Sequence, residues 1–234
     1  MSATTLPERD RSLLALLERH LAPAAFAALE AARRQVAAGG DPARPFARLG
    51  REVGPGALPE GLEPLAGSTD PVAVAGWPLA TAARASLLLT AAGAAGAGLP
   101  LAVRLYDTGE LGERIACLRA LPLLEAGPGG LAAVHDGCRS NVLPLFDAAS
   151  ANPYASRWLD DHAFAHAVLK RATLGLPLAP VVRLEARATA ELGRMLRGLV
   201  RERRIAGRSW PAEAERLAAR IEAGEIGGGA APLP

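Results

Sequence analysis

Residues 77–97, WPLATAARASLLLTAAGAAGA, decide the fold. The stretch is almost all Ala and Leu with Pro78 near its start, a composition that favours a helix opened by proline over a strand. Leu79, Ala83, Leu87 and Leu88 fall on one face and Arg84 is the only charge inside, so a long helix from Trp77 to Ala97 is predicted. No residue from Ala85 to Val103 is charged, and a membrane span needs about 20 predominantly apolar residues. However, Gly93, Gly96, Gly98 and Pro100 interrupt this run, and alanine gains little from transfer into lipid. The reading is therefore a buried small-residue helix that stops near Gly98 and Pro100 and admits a close neighbour.

Working outward, the chain of 234 residues is half hydrophobic but only 4% aromatic, its apolar mass coming mainly from Ala, Leu and Gly. That favours one all-α domain, assigned to residues 1–223, with 224–234 as a disordered tail. Residues 10–38 carry leucines at helical spacing broken near Pro23, which predicts two short helices. Residues 39–72 dissolve into Pro and Gly and predict a loop with one helical turn around Phe46–Glu52. A helix over Gly109–Leu124 is capped by Asp107 or Thr108 and turns Leu111, Ile115, Leu118 and Leu121 to the core. A further run over Leu131–Ala149 bends near Pro144. Asp160 or Asp161 opens a helix through Thr173, Thr189 opens another to Arg204, and a last one spans Pro211–Ala223. About eight helices with short connections suggest stacked antiparallel pairs, loosely like HEAT repeats.

The 26 basic and 24 acidic residues are dispersed, which leaves no footprint for nucleic acid. Cys117 and Cys138 are too few for a disulfide framework, and residues 1–11 lack the basic and then apolar pattern of a secretory signal. A cytoplasmic location is expected.

Several words occur in a fixed order: Arg119-Ala-Leu-Pro122-Leu-Leu124, Cys138-Arg139-Ser140-Asn141, Asn152-Pro153-Tyr154, Asp161-His162-Ala163-Phe164 and Val168-Leu169-Lys170. They continue as Glu191-Leu192-Gly193-Arg194-Met195-Leu196, Glu202-Arg203 and Ala206-Gly207-Arg208. With Trp77 to Leu89 they make residues 77–210 resemble the EboA family. The resemblance implies a role in metabolite traffic. It also implies a gene cluster that encodes a prenyltransferase-like membrane protein, a TatD-like hydrolase and sugar-phosphate-type enzymes, and that exports a small molecule. The partners so implied are a small metabolite and the other cluster proteins, the membrane prenyltransferase-like protein among them.

Read from the residues alone, His162 and His166 stand at i and i+4 behind Asp160 and Asp161. A metal site would need a third ligand at recognisable spacing, so no metal or other cofactor is expected. A magnesium-diphosphate reading fails as well, because Phe164 and Ala165 stand where a further carboxylate is required. Neither a G-x-S-x-G elbow nor a phosphate-binding glycine loop is present in the sequence.

Arg139, Asn141 and Lys170 lie in apolar segments, where such groups need partners or a cavity. Arg139, Asn141, Asn152, Tyr154, His162, His166 and Lys170 are the candidate ligand-binding residues, with a purely structural hydrogen-bond network as the competing reading. In either case Arg139, Asn141, Asn152 and Tyr154 are expected to meet at a helix junction. Arg139 would be at least partly buried there and paired to carbonyl groups or to a carboxylate, Asp147 and Asp161 being the nearest, and Arg139→Ala would cost about 2 to 4 kcal/mol where its charge partner is left buried and unpaired. Three functions fit: a non-catalytic carrier or adaptor, an enzyme on a prenylated or sugar-like intermediate that uses Arg139 and Lys170 as anion ligands, and a scaffold at a membrane surface.

Overall fold

A computed structural model describes residues 5–96, 98–124 and 127–227. These form twelve α-helices and two isolated β-bridges, with no named strand among the described residues. The all-α class is as read from the sequence. The helix number is higher, because turns that look like bends in the sequence are full breaks.

The N-terminal half is built around α4 (Leu79–Ala95), against which α1 (Leu6–His20), α2 (Pro23–Ala37), α3 (Ala43–Glu52), α5 (Gly98–Thr108) and α6 (Leu111–Ala120) all pack. Ala82, Ala83, Ala85, Leu87, Leu88 and Leu89 are buried, so α4 is enclosed on every side. A helix apolar all round demands such a position. The helix ends at Gly96 in the left-handed conformation (φ 65°), which ordinary side chains avoid, and α5 begins two residues later. Among the described residues no helix is long and apolar enough to cross a membrane.

Arg84 shows how a charge survives on such a helix. Its Nε donates to the Phe46 carbonyl (2.9 Å) and its Nη2 to that of Ala47 (3.2 Å), while Glu113 lies 3.5 Å away. A Cβ at Gly50 would stand 2.6 Å from Nη2, so α3 can approach the guanidinium only with glycine there. α3 is a ten-residue helix, longer than the single turn expected.

Two other expectations are corrected. The N-cap of α6 is Glu110, in a capping box with Glu113, and not Asp107 or Thr108; this start leaves Leu111 44% exposed. The run over 131–149 is two helices, α7 (Leu131–Arg139) and α8 (Leu143–Ser150), because Pro144 sits in the first turn of α8 and forces a new start. Asn152 then caps the short α9 (Pro153–Trp158), and Asp160 caps α10 (Asp161–Thr173) by accepting from the Ala163 N–H at 2.7 Å. Thr189 caps α11 (Ala190–Ile205), which packs on α12 (Ala212–Glu222).

The pairs α5–α6, α7–α8, α10–α11 and α11–α12 pack as neighbours, whereas the hub α4 departs from a regular stack. Residues 53–78, without a helix, are held by backbone bonds: Leu65 and Val72 exchange two (2.9 and 2.7 Å), and Ser68 N–H reaches the Pro122 carbonyl (2.8 Å). Of the tail expected to be disordered, Ile226 packs on the core, and residues 228–234 lie outside the described residues.

Candidate functional site

The α8–α9 turn is knitted by side chains to its neighbours. Asn152 accepts from the Tyr154 N–H at 2.9 Å and donates to the carbonyls of Leu118 (2.6 Å) and Ala148 (3.2 Å). The Tyr154 hydroxyl accepts from the Gly130 N–H (2.9 Å) and donates to the Gly127 carbonyl (2.6 Å). Burial raises its pKa, the hydrogen bond from Gly130 opposing. Two residues thus satisfy the orphan carbonyls of α6 and α8 and tie both to the turn before α7.

Arg139 and Asn141 take no part in this junction. Both are exposed, because α7 ends at Arg139 and the chain leaves along the surface through extended Ser140. The carboxylates expected to pair with Arg139 are taken by other arginines. Asp147 accepts from Arg171 Nη1 (2.9 Å) and Asp161 from Arg187 Nη2 (2.7 Å).

Arg139, His162, His166 and Lys170 do line one open groove of about 650 Å³ between α7 and α10, together with His135 and Cys138. Within it, Lys170 Nζ donates to three carbonyls at the end of α7, those of Cys138 (3.2 Å), Arg139 (3.1 Å) and Ser140 (2.8 Å). The sole lysine therefore acts as a helix C-cap. His162 and His166 meet edge to face at 4.4 Å, and His162 Nδ1 lies 3.9 Å from Glu191. No group of three or more His, Cys, Asp or Glu among the described residues is placed to hold a metal ion.

A second, more enclosed cavity of about 330 Å³ lies between the 64–77 segment, α6, α8 and the 180–182 loop. Its walls are mostly apolar, with Trp77, Val72, Ala148, Ala151 and five prolines, and its two ionisable groups are Arg119 and Asp147. The Arg119 guanidinium lies over the Trp77 ring (5.5 Å to the centroid), and its Nη2 is 4.0 Å from Asp147. Nη1 is buried with no hydrogen-bond partner. Burial lowers the Arg119 pKa, and Asp147 offsets only part of that. A buried donor left unmade costs about 1 to 3 kcal/mol.

Arg171 holds the back of the site. Its Nε and Nη2 both donate to the Pro177 carbonyl (3.1 and 2.9 Å), and Nη1 reaches Ser150 Oγ (2.8 Å) as well as Asp147. Asp147 is thereby fixed facing Arg119. Arg187 plays the same part below α9, donating to the carbonyls of Ser156 and Leu159 (2.8 Å each) and lying over the Phe164 ring.

The sequence model described as metabolite traffic protein EboA matches residues 11–219. The chain belongs to the EboA family. No curated protein and no solved structure matches it. The EboA match reaches beyond the 77–210 legible by resemblance, from inside α1 to inside α12, and includes every residue lining the cavity. Trp77, Arg119 and Asp147 were absent from the expected ligand set. Only Arg119 and Trp77 carried a signal, since both stand in stretches that resemble EboA.

Proposed function

We propose that the protein is a non-catalytic helical carrier or adaptor, which holds a small, partly apolar metabolite of its gene cluster in the cavity beside Trp77 and Arg119 on its way to export. The observation that carries this reading is a mostly apolar cavity lined by Trp77, Arg119 and Asp147, with one nitrogen of the Arg119 guanidinium lacking a hydrogen-bond partner among the described residues. Apolar walls bury a carbon skeleton, and one guanidinium nitrogen fixes its orientation through an acceptor oxygen. Asp147 is held by Arg171 and faces Arg119, an arrangement suited to holding a ligand rather than moving protons. The EboA description as a metabolite traffic protein agrees with it.

In this reading the protein works in the cytoplasm and hands the metabolite to other cluster proteins, including the prenyltransferase-like membrane protein. An enzyme on a prenylated or sugar-like intermediate has less support. Lys170, one of its two anion ligands, already gives its ammonium donors to three backbone carbonyls.

The test is native mass spectrometry of protein purified from its own host, beside Ala151→Trp, which fills the cavity from its wall. A small-molecule adduct in the wild type that is lost from the folded variant is expected. An adduct that persists in the variant, or turnover of a cluster metabolite by the purified protein alone, would overturn the proposal.

A further inference from the structure

The α11–α12 hairpin carries a second surface that the metabolite reading does not use. Residues 190–210 hold six arginines against two glutamates. Arg194, Arg197, Arg201, Arg204 and Ile205 follow at steps of three and four, which places them on one side of α11. All five are exposed, Ile205 to 77%.

The charges on this side are only partly neutralised by their surroundings. Arg204 pairs with Glu215 (2.9 Å) and Arg197 with Glu222, while Glu213 accepts from the Leu178 N–H (2.8 Å). Arg194, Arg201, Arg208 and Arg216 have no side-chain partner among the described residues, and Glu202 is the one acidic residue in the last turns of α11. An excess of unpaired positive charge is left along the helix and just past its end.

Large apolar groups are exposed at the same end. Trp210, 37% exposed, is held at the surface: its Nε1 donates to Glu215 (2.8 Å) and Arg204 lies over its ring at 4.8 Å. Ile205 and Trp210 thus lie beside Arg201 and Arg204 at the end of α11.

We infer that this end of the molecule docks on an anionic lipid surface, with the arginines against phosphate headgroups and Ile205 and Trp210 entering the interface. Basic residues alone would suit any polyanion, but exposed aliphatic side chains gain free energy only where they leave water. Tryptophan favours the same zone, with an apolar body and a hydrogen-bonded edge. A nucleic acid or an acidic peptide would use the arginines and leave Ile205 hydrated.

The test is flotation of the full chain with vesicles of phosphatidylcholine, with and without phosphatidylserine, beside Ile205→Ser and the triple variant Arg194→Gln, Arg201→Gln, Arg208→Gln. Binding to the anionic vesicles that weakens with salt is expected. The triple variant should bind on the order of 100-fold more weakly, since each basic side chain near such a surface is worth about fivefold. Ile205→Ser should lose about tenfold at unchanged charge. All four positions are exposed, so each variant should melt with the wild type. Equal binding to neutral vesicles, no binding to anionic ones, an unchanged triple variant, or capture by polyglutamate or duplex DNA without vesicle binding would each overturn the inference.

Discussion

The α4-centred half and the segment from α8 to the start of α11 solve the same burial problem by different means. Around α4 the interior is mainly Ala and Leu packed on Ala and Leu, with Arg9, Thr81, Arg84 and Ser86 as its buried polar side chains. Between residues 144 and 188 the fixed points are Arg171 and Arg187, both nearly inaccessible, whose guanidinium groups collect carbonyls from the end of α9 and from the turns that follow α9 and α10. Close packing leaves little room for a ligand. The cavity lies where turns are braced by hydrogen bonds instead, and there Arg119 keeps a spare donor.

If this contrast is right, the half around α4 should respond to lost volume and the other to lost donors. Leu88→Ala removes a fully buried side chain from α4 and should cost about 3 to 4 kcal/mol in denaturant unfolding. A loss below about 1 kcal/mol would mean that the hub relaxes freely. Arg171→Ala should cost about 2 to 3 kcal/mol, because the Pro177 carbonyl and Ser150 are left unsatisfied while the half-exposed Asp147 is rehydrated. Arg171→Met keeps most of the volume and should recover less than half of that loss. Full recovery would show that Arg171, too, is held by packing.

Cys117 lies on α6 near Arg84 and Glu113, and Cys138 lies at the end of α7 near Lys170. Burial raises Cys117 to about 12 and Cys138 to about 11. An acid whose folded pKa is raised stabilises the protein fully below the unfolded value, near 8.5, and loses that contribution as pH rises towards the folded one. Stability should therefore fall from about pH 9 upward, by roughly 6 kcal/mol at pH 11 if both thiols ionise only on unfolding, and by about half as much in a Cys117→Ala variant. Identical alkaline profiles for the two proteins would contradict the burial of Cys117. Smallest of all is Arg139→Ala: exposed and unpaired, it should melt within about 0.5 kcal/mol of the wild type, well short of the loss read from its sequence context.

The difference between the halves also explains what could be read in advance. The α4 helix, the Thr189 and Asp160 caps and the all-α class depend on residues a few positions apart, and periodicity reports such relations. Asn152 and Tyr154 were legible as a junction because Asn-Pro-Tyr after a helix is a local capping signal. Arg171 was not, since its acceptor Pro177 lies beyond a helix end and its partner Asp147 lies 24 residues earlier. Arg139 was misassigned for the same reason: an arginine in an apolar helix looks buried until the helix is known to end there. The cavity depends on a loop–helix approach fixed by the Ser68–Pro122 and Arg183–Asp70 bonds, which no spacing encodes.

The most direct test of the account is Arg119→Met, followed by thermal melting and by native mass spectrometry of protein from its own host. Methionine keeps the wall against Trp77 and removes a buried donor without a partner, so the melting temperature should hold or rise slightly. The small-molecule adduct should disappear. A variant that melts several degrees lower and still carries its adduct would show that Arg119 is a structural brace like Arg171, and that the metabolite binds elsewhere.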